Sequence, residues 1–174
     1  MSKVILVTGG ARSGKSRFAE GLAEGFAPLR GYLATGQPGD SEMAERIARH
    51  RGRRGSEWQT VEEPLEVSDA IMRNDALFTV LLLDCVTLWL SNLLFHGDGG
   101  APEALLRVAG FTESFPSLKT PLIIVSNEVG MGIVPEHPLA RSFRDLAGEA
   151  NEMIAAKADE VYVTISGLPL RLKP

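Results

Sequence analysis

A run of mostly apolar residues, Lys3 to Thr8, passes straight into GGARSGKS at 9–16, and a helical pattern begins at Lys15. This junction constrains the fold more than any other feature. An apolar strand of this kind has to be covered on both faces. Glycines at its end let the chain turn sharply, so that several backbone N–H groups point at one anion. The helix that follows adds its N-terminal partial charge. Gly9, Gly14, Lys15 and Ser16 have the spacing of a phosphate-binding loop, and the strand before and helix after are the context that motif requires. In such a loop the Lys15 ammonium reaches the β- and γ-phosphates of a nucleotide and the Ser16 hydroxyl ligates Mg²⁺.

Strand and helix signals alternate along the rest of the chain. Strands are expected at 3–8, 31–35, 58–62, 78–84 and 121–128, and helices at 15–26, 41–50, 64–73, 86–95 and 139–158. A loop is expected at 96–102 with a helix after it, and a Gly/Pro loop at 130–138. EVYVTIS and LPLRLK, on either side of Gly167, read as a terminal strand pair joined by a tight turn. The expectation is an α/β P-loop NTPase fold: a mostly parallel central sheet, helices on both faces, and an antiparallel C-terminal edge strand. Ligands of such sheets sit beyond the carboxyl ends of the strands. Gly9 onward, Thr35 to Gln37, Asp84, Asn127 and Glu128 all fall there.

The 174 residues suggest one domain, 1–174, large enough for a full core. A net charge of −4 argues against broad nucleic-acid binding. Cys85 is the one cysteine, so no intrachain disulfide forms, which fits a reducing cytoplasmic setting. The N-terminal apolar run is too short for a signal peptide. The longest apolar stretch, Ala76 to Phe95, carries Asp84 near its middle, and a buried strand followed by a helix explains it better than a membrane span.

Asp84 closes an apolar strand, where a carboxylate holds magnesium or its water shell; the plainer reading is an N-cap for the next helix. His50 continues the stripe of Met43 and Ile47 on its helix, with Arg49, Arg51, Arg53 and Arg54 around it. The plain reading is a histidine near a helix C-terminus with a solvated basic surface. The functional reading is a neutral imidazole nucleophile among arginines that hold a polyphosphate. Asn127 and Glu128 either meet substrate or cap the next segment. Met131 and Ile133, in a Gly-rich loop, either face substrate or fill core, and core is the expectation. Cys85 reads as a small packed residue, Trp58 and Trp89 as structural, and His96 and His137 as loop residues.

GGARSGKSRFAE, YLATGQ, DSEMAERIARHRGRRGSEWQTVEEP, LLLDCVTLWLSNLLF and the segment from VSNEVGMGIVPEHP to the C-terminus together resemble the bifunctional adenosylcobinamide kinase/adenosylcobinamide-phosphate guanylyltransferase family of cobalamin biosynthesis. The resemblance runs nearly end to end and is weakest around 97–118. It implies phosphorylation of adenosylcobinamide with ATP or GTP, then transfer of GMP from GTP to that phosphate through a histidine–GMP intermediate. The histidine matching the nucleophile is His50. The family's nucleotide contacts map onto Gly9, Gly10, Ala11, Arg12, Ser13, Gly14, Lys15 and Ser16; onto Thr35, Gly36 and Gln37; onto Arg51, Gly52, Arg53 and Arg54; and onto Glu62 and Asp84. Mg²⁺ and a homotrimer are implied as well. Two positions depart from the pattern: Arg49 precedes His50 where two adjacent histidines occur in relatives, and Asp84 stands where relatives often have Glu. Two rival readings from the residues are a simple small-molecule kinase with a structural His50, and a nucleotide-dependent switch. The Asn-Lys-x-Asp guanine element of signalling GTPases does not occur in the chain.

Overall fold

The fold is described from a computed structural model. It covers residues 2–173 except 38, 40, 42–44, 46–47, 49–50, 53 and 97–98. Seven strands form one sheet: β1 Val4–Gly9, β2 Arg30–Ala34, β3 Trp58–Glu62, β4 Leu81–Asp84, β5 Leu122–Val125, β6 Glu160–Ile165 and β7 Leu168–Lys173, in the order β3-β2-β4-β5-β1-β6-β7. The first six pair in parallel, and β7 pairs antiparallel with β6 at the edge. The expected sheet, including its antiparallel last strand, is therefore present.

Strands buried on both faces put alternate residues into two cores. Leu6, Leu83 and Ile124 face one, shared with α2 (Val67–Asn74), α3 (Val86–His96), α4 (Gly100–Glu113) and α5 (Pro138–Lys157). Ile5, Val7, Leu82, Ile123 and Val125 face the other, with Ala19 and Ala23 of α1 (Lys15–Glu24). Cys85 is packed there, and burial first, then the charge of Asp84, push its thiol up to about 11. Trp89 is fully buried with its Nε1 donating to the Leu65 carbonyl at 2.8 Å.

Several boundaries differ from the expected ones for local reasons. Helix α1 stops at Glu24, before Phe26. The buried Arg30 side chain donates to the Ala23, Glu24 and Phe26 carbonyls, placing a cation on the helix's C-terminal carbonyls. Helix α2 starts at Val67 rather than Pro64, because Glu63 Oε1 accepts from the Leu65 and Glu66 N–H groups and holds a turn there. Strand β4 starts at Leu81 rather than Phe78; ahead of it Ala76 is left-handed at φ 65° and Thr79 donates its hydroxyl to the Ala27 carbonyl. Strand β5 ends at Val125, where Ser126 and Asn127 turn their side chains to Asn151 and Thr87. Helix α4 begins at Gly100, inside the expected loop, with Pro102 in its first turn. Of the helix expected over 41–50, Ser41, Glu45 and Ala48 are helical, as are Arg51 and Gly52 beyond it. Met43, Ile47, Arg49 and His50 lie outside the described residues.

Candidate functional site

Register places the carboxyl ends of the strands in one row. Glu62 pairs with Ala34, Ala34 with Asp84, Asp84 with Val125, Val125 with Val7, and Val7 with Tyr162. Neighbouring strands lie about 4.8 Å apart, so Asp84 stands about 10 Å from both β1 and Glu62. The loop at 9–14 leaves this row from β1.

That loop is held from several sides. Gly9 has φ +152°, and a Cβ there would lie 2.5 Å from both Ser13 Oγ and Thr164 Oγ1 and 2.7 Å from the Thr164 carbonyl oxygen. The Ser13 and Thr164 hydroxyls are themselves hydrogen-bonded at 2.8 Å. The Gly9 carbonyl accepts from Glu128 N at 3.0 Å, and the Ser13 carbonyl from Gly167 N at 2.8 Å. Gly167 is the turn between β6 and β7, and a Cβ on Gly14 would come within 3.1 Å of its Cα. Gly14, at φ 93°, then opens α1, with no side-chain cap on its first N–H groups. Lys15 is only 6% exposed, and its Nζ donates to the Gly10 carbonyl at 3.1 Å. Gly10, Ala11 and Arg12 are exposed at the loop's rim, and Ser16 follows Lys15 half-buried. A helix N-terminus without a side-chain cap and a dry lysine favour a bound polyanion.

Across the row, Asp84 Oδ2 accepts from the Tyr32 hydroxyl at 3.0 Å. Burial, and then the Asp84 charge, raise the Tyr32 pKa, which keeps that hydroxyl a donor. The Arg54 guanidinium lies 3.3 Å from the centre of the Tyr32 ring. Its Nη2 reaches Thr60 Oγ1 at 3.5 Å, while its buried Nη1 has no hydrogen-bond partner among the described residues. Thr35 is fully buried, its hydroxyl bonded to both the N–H and the carbonyl of Cys85. It ties β2 to β4, leaving Gly36 half-buried and Gln37 exposed just beyond. Arg51 pairs with Glu62 at the β3 end of the row, both side chains more than half exposed; Gly52 is exposed beside it. His50 and Arg53, expected here, lie outside the described residues.

Asn127 donates to Thr87 Oγ1 at 2.7 Å, and Glu128 Oε1 accepts from Asn151 Nδ2 at 3.3 Å. Both knit the end of β5 to helices α3 and α5. The sequence reading missed Tyr32, Thr164 and Gly167. The turn at Gly167 was legible in the sequence, but nothing there said that it would rest on the phosphate loop. Met131 and Ile133, expected in the core, are instead largely exposed. The loop that carries them follows the carboxyl end of β5, and residues 129–134 are all exposed.

The cobinamide kinase / cobinamide phosphate guanyltransferase family model matches residues 5–172. The chain belongs to this family. It is 45% identical over 172 residues to the bifunctional adenosylcobalamin biosynthesis protein CobP of Pseudomonas aeruginosa, covering 97% of this chain and 96% of that protein. It is 43% identical over 181 residues to the bifunctional adenosylcobalamin biosynthesis protein CobU of Salmonella typhimurium, covering 98% of this chain and 99% of that protein. Among solved structures, an ATPase from the type III secretion system of pathogenic bacteria superposes with TM-score 0.61 at 12% identity, over 92% of this chain and 50% of that one. A KaiC-like protein, PH0186 from Pyrococcus horikoshii OT3, gives TM-score 0.55 at 12% identity, over 92% of this chain and 70% of that one. At such identities the likeness speaks for the P-loop NTPase fold alone. Family membership makes the chain a transferase of cobalamin biosynthesis, a kinase and guanylyltransferase that uses nucleotides at a P-loop.

The packing of Gly167 on the loop gives a direct test. Its φ of +83° suits glycine, tolerates asparagine and strains a β-branched residue. Gly167→Val is expected to weaken nucleotide binding by about tenfold, and Gly167→Asn by much less. Titration calorimetry with GTP reads both. Equal affinities for the two variants would mean that the turn does not shape the loop.

Proposed function

We propose that this one domain carries out two reactions at one nucleotide site. In the first, the aminopropanol hydroxyl of adenosylcobinamide takes the γ-phosphoryl group of ATP or GTP. In the second, GMP passes from GTP to the new phosphate, giving adenosylcobinamide-GDP. The phosphate loop carries this reading, because a preshaped anion cradle closes the first strand of a chain that matches the family over residues 5–172. Loop N–H groups and Lys15 hold the β- and γ-phosphates and meet the charge that develops as the phosphoryl group moves.

The donors near the loop fit Mg²⁺. The Ser16 hydroxyl and the Asp84 carboxylate offer hard oxygen ligands, and a P-loop cation takes the rest of its shell from phosphates and water. No group of three His, Cys, Asp or Glu side chains capable of holding a metal occurs among the described residues. When bound, Mg²⁺ would neutralise phosphate charge; Tyr32 orients the Asp84 carboxylate that would face it.

For the second reaction, a ring nitrogen of His50 attacks the α-phosphorus of GTP. The N–P bond forms, the Pα–O bond to the β-phosphate breaks, and pyrophosphate leaves. A phosphate oxygen of the acceptor then attacks the same phosphorus and frees His50. Arg51, Arg53 and Arg54, with Gly52 and with Thr35 to Gln37, contact the nucleotide. An exposed ion pair like Arg51–Glu62 is worth no more than about 1 kcal/mol, so Arg51 exchanges carboxylate for phosphate at little cost. The Nη1 of Arg54, without a partner among the described residues, is a further donor for such an anion.

We further propose a cytoplasmic homotrimer joined through β7. Leu168 is 73% exposed, and Leu170 and Leu172, next on the same face of that edge strand, are more than half exposed. No helix among the described residues is long and apolar enough to cross a membrane.

Incubation with α-³²P-GTP and Mg²⁺ should label the protein through an acid-labile, alkali-stable bond. His50→Ala should abolish the label and GMP transfer while cobinamide phosphorylation survives within a few-fold; loss of both activities to the same extent would contradict separate roles. Lys15→Ala should lower phosphorylation by at least about a hundredfold. Leu170→Glu should yield monomers in sedimentation analysis, and a trimer unaffected by that charge would move the interface elsewhere.

A further inference from the structure

The segment Val129–Val134 alternates apolar side chains with Gly130 and Gly132. Ile133 is 96% exposed and Met131 79%, and Val134 also faces solvent. Contiguous apolar side chains held in water give up about 25 cal/mol for each Å² that a ligand could cover.

Both ends of the tip are held by hydrogen bonds. On one side Ser126 N donates to the Val7 carbonyl and Glu128 N to the Gly9 carbonyl, each at 3.0 Å. Asn151 Nδ2 donates to the Asn127 carbonyl at 3.1 Å. On the other side Arg141 Nη1 donates to the carbonyls of Pro135 at 3.1 Å and Glu136 at 2.5 Å. His137 Nδ1 accepts from Leu139 N at 3.2 Å and caps α5. The apolar tip is thus presented by a fixed base, and that base is bonded directly to the first glycine of the phosphate loop.

We propose that Met131, Ile133 and Val134 seat the corrin ring of the acceptor while its hydroxyl or phosphate reaches the phosphate loop. This deepens the functional reading above and rests on it. A macrocycle of that size extends well beyond a nucleotide cradle, so most of its contact surface has to come from outside residues 9–16. Its faces are broad and its rim carries neutral amides. No charged side chain stands between Val129 and Pro135, so the tip offers an uncharged apolar surface to match. Flexible methionine suits an irregular ring face, and the Glu128–Gly9 bond roots the segment beside the phosphate loop.

The test is the double variant Met131→Ser/Ile133→Ser in the full chain, with cobinamide as the probe. Equilibrium dialysis should show cobinamide affinity reduced about tenfold or more, and KM for cobinamide raised to match. Calorimetric GTP affinity, GMP labelling without acceptor, and the sedimentation coefficient should stay as in the parent. Ile133→Leu should retain parental affinity. Unchanged cobinamide affinity in the double variant would overturn the proposal. So would a change of sedimentation coefficient with cobinamide affinity intact, which would assign the tip to a second copy of the chain. A parent that binds cobinamide through the tip, yet neither phosphorylates it nor takes the GMP label, would refute the functional reading while the seat stands.

Discussion

Gly9 sits with no room for a side chain, boxed in by the Ser13 and Thr164 hydroxyls and the Thr164 carbonyl. Its own carbonyl is taken by Glu128 N, and the Ser13 carbonyl, four residues on, by Gly167 N. Apart from Ser13 in the loop itself, these contacts come from β6, from the β6–β7 turn and from the segment after β5, all far from the loop in sequence. A short glycine-rich segment left to itself would sample many shapes. Gripped this way it keeps one shape before any nucleotide arrives, so its N–H groups need no rearrangement when charge moves between phosphates. The antiparallel strand that closes the sheet therefore has a functional consequence: its turn is one wall of the anion cradle.

The same contacts organise what surrounds the cradle. Because Glu128 bonds to Gly9, the segment that runs on to Met131 and Ile133 starts at the mouth of the loop. Because the strand ends share one row, Asp84 stands two strands from β1, and Tyr32 and Arg54 stack beside it. Arg51 and Glu62 close the far end with an exposed ion pair, a weak kind of bridge. The proposed pair of reactions, one at the γ-phosphorus and the next at the α-phosphorus of a second triphosphate, calls for such breadth: a tight grip at one end and exchangeable cations along the rest.

The sheet was largely legible in the sequence because its apolar strands and intervening helices have distinct periods. Strand β3 was placed to the residue, and Gly9, Gly14, Lys15 and Ser16 announced themselves by spacing. The errors have local causes. Glu63 delays α2 with a side-chain bond that hydrophobic patterning does not register. Met131 and Ile133 look like core residues by type, yet the loop after β5 leaves them in water. The hydroxyl of Tyr32 on Asp84 and the turn of Gly167 on the phosphate loop join residues 52 and more than 150 positions apart. No pattern within a window of sequence carries such pairings. The role proposed for His50 rests on family resemblance, since its neighbours alone allow an ordinary surface helix and the residue lies outside those described.

One cradle for both reactions is the claim on which the rest turns. It is tested most directly by GMP labelling from α-³²P-GTP in the presence of a non-hydrolysable ATP analogue. If the loop at 9–16 serves both steps, the analogue inhibits labelling competitively with GTP, and each chain binds one equivalent of nucleotide in total. Labelling that persists at saturating analogue, with two equivalents bound per chain, would contradict the account.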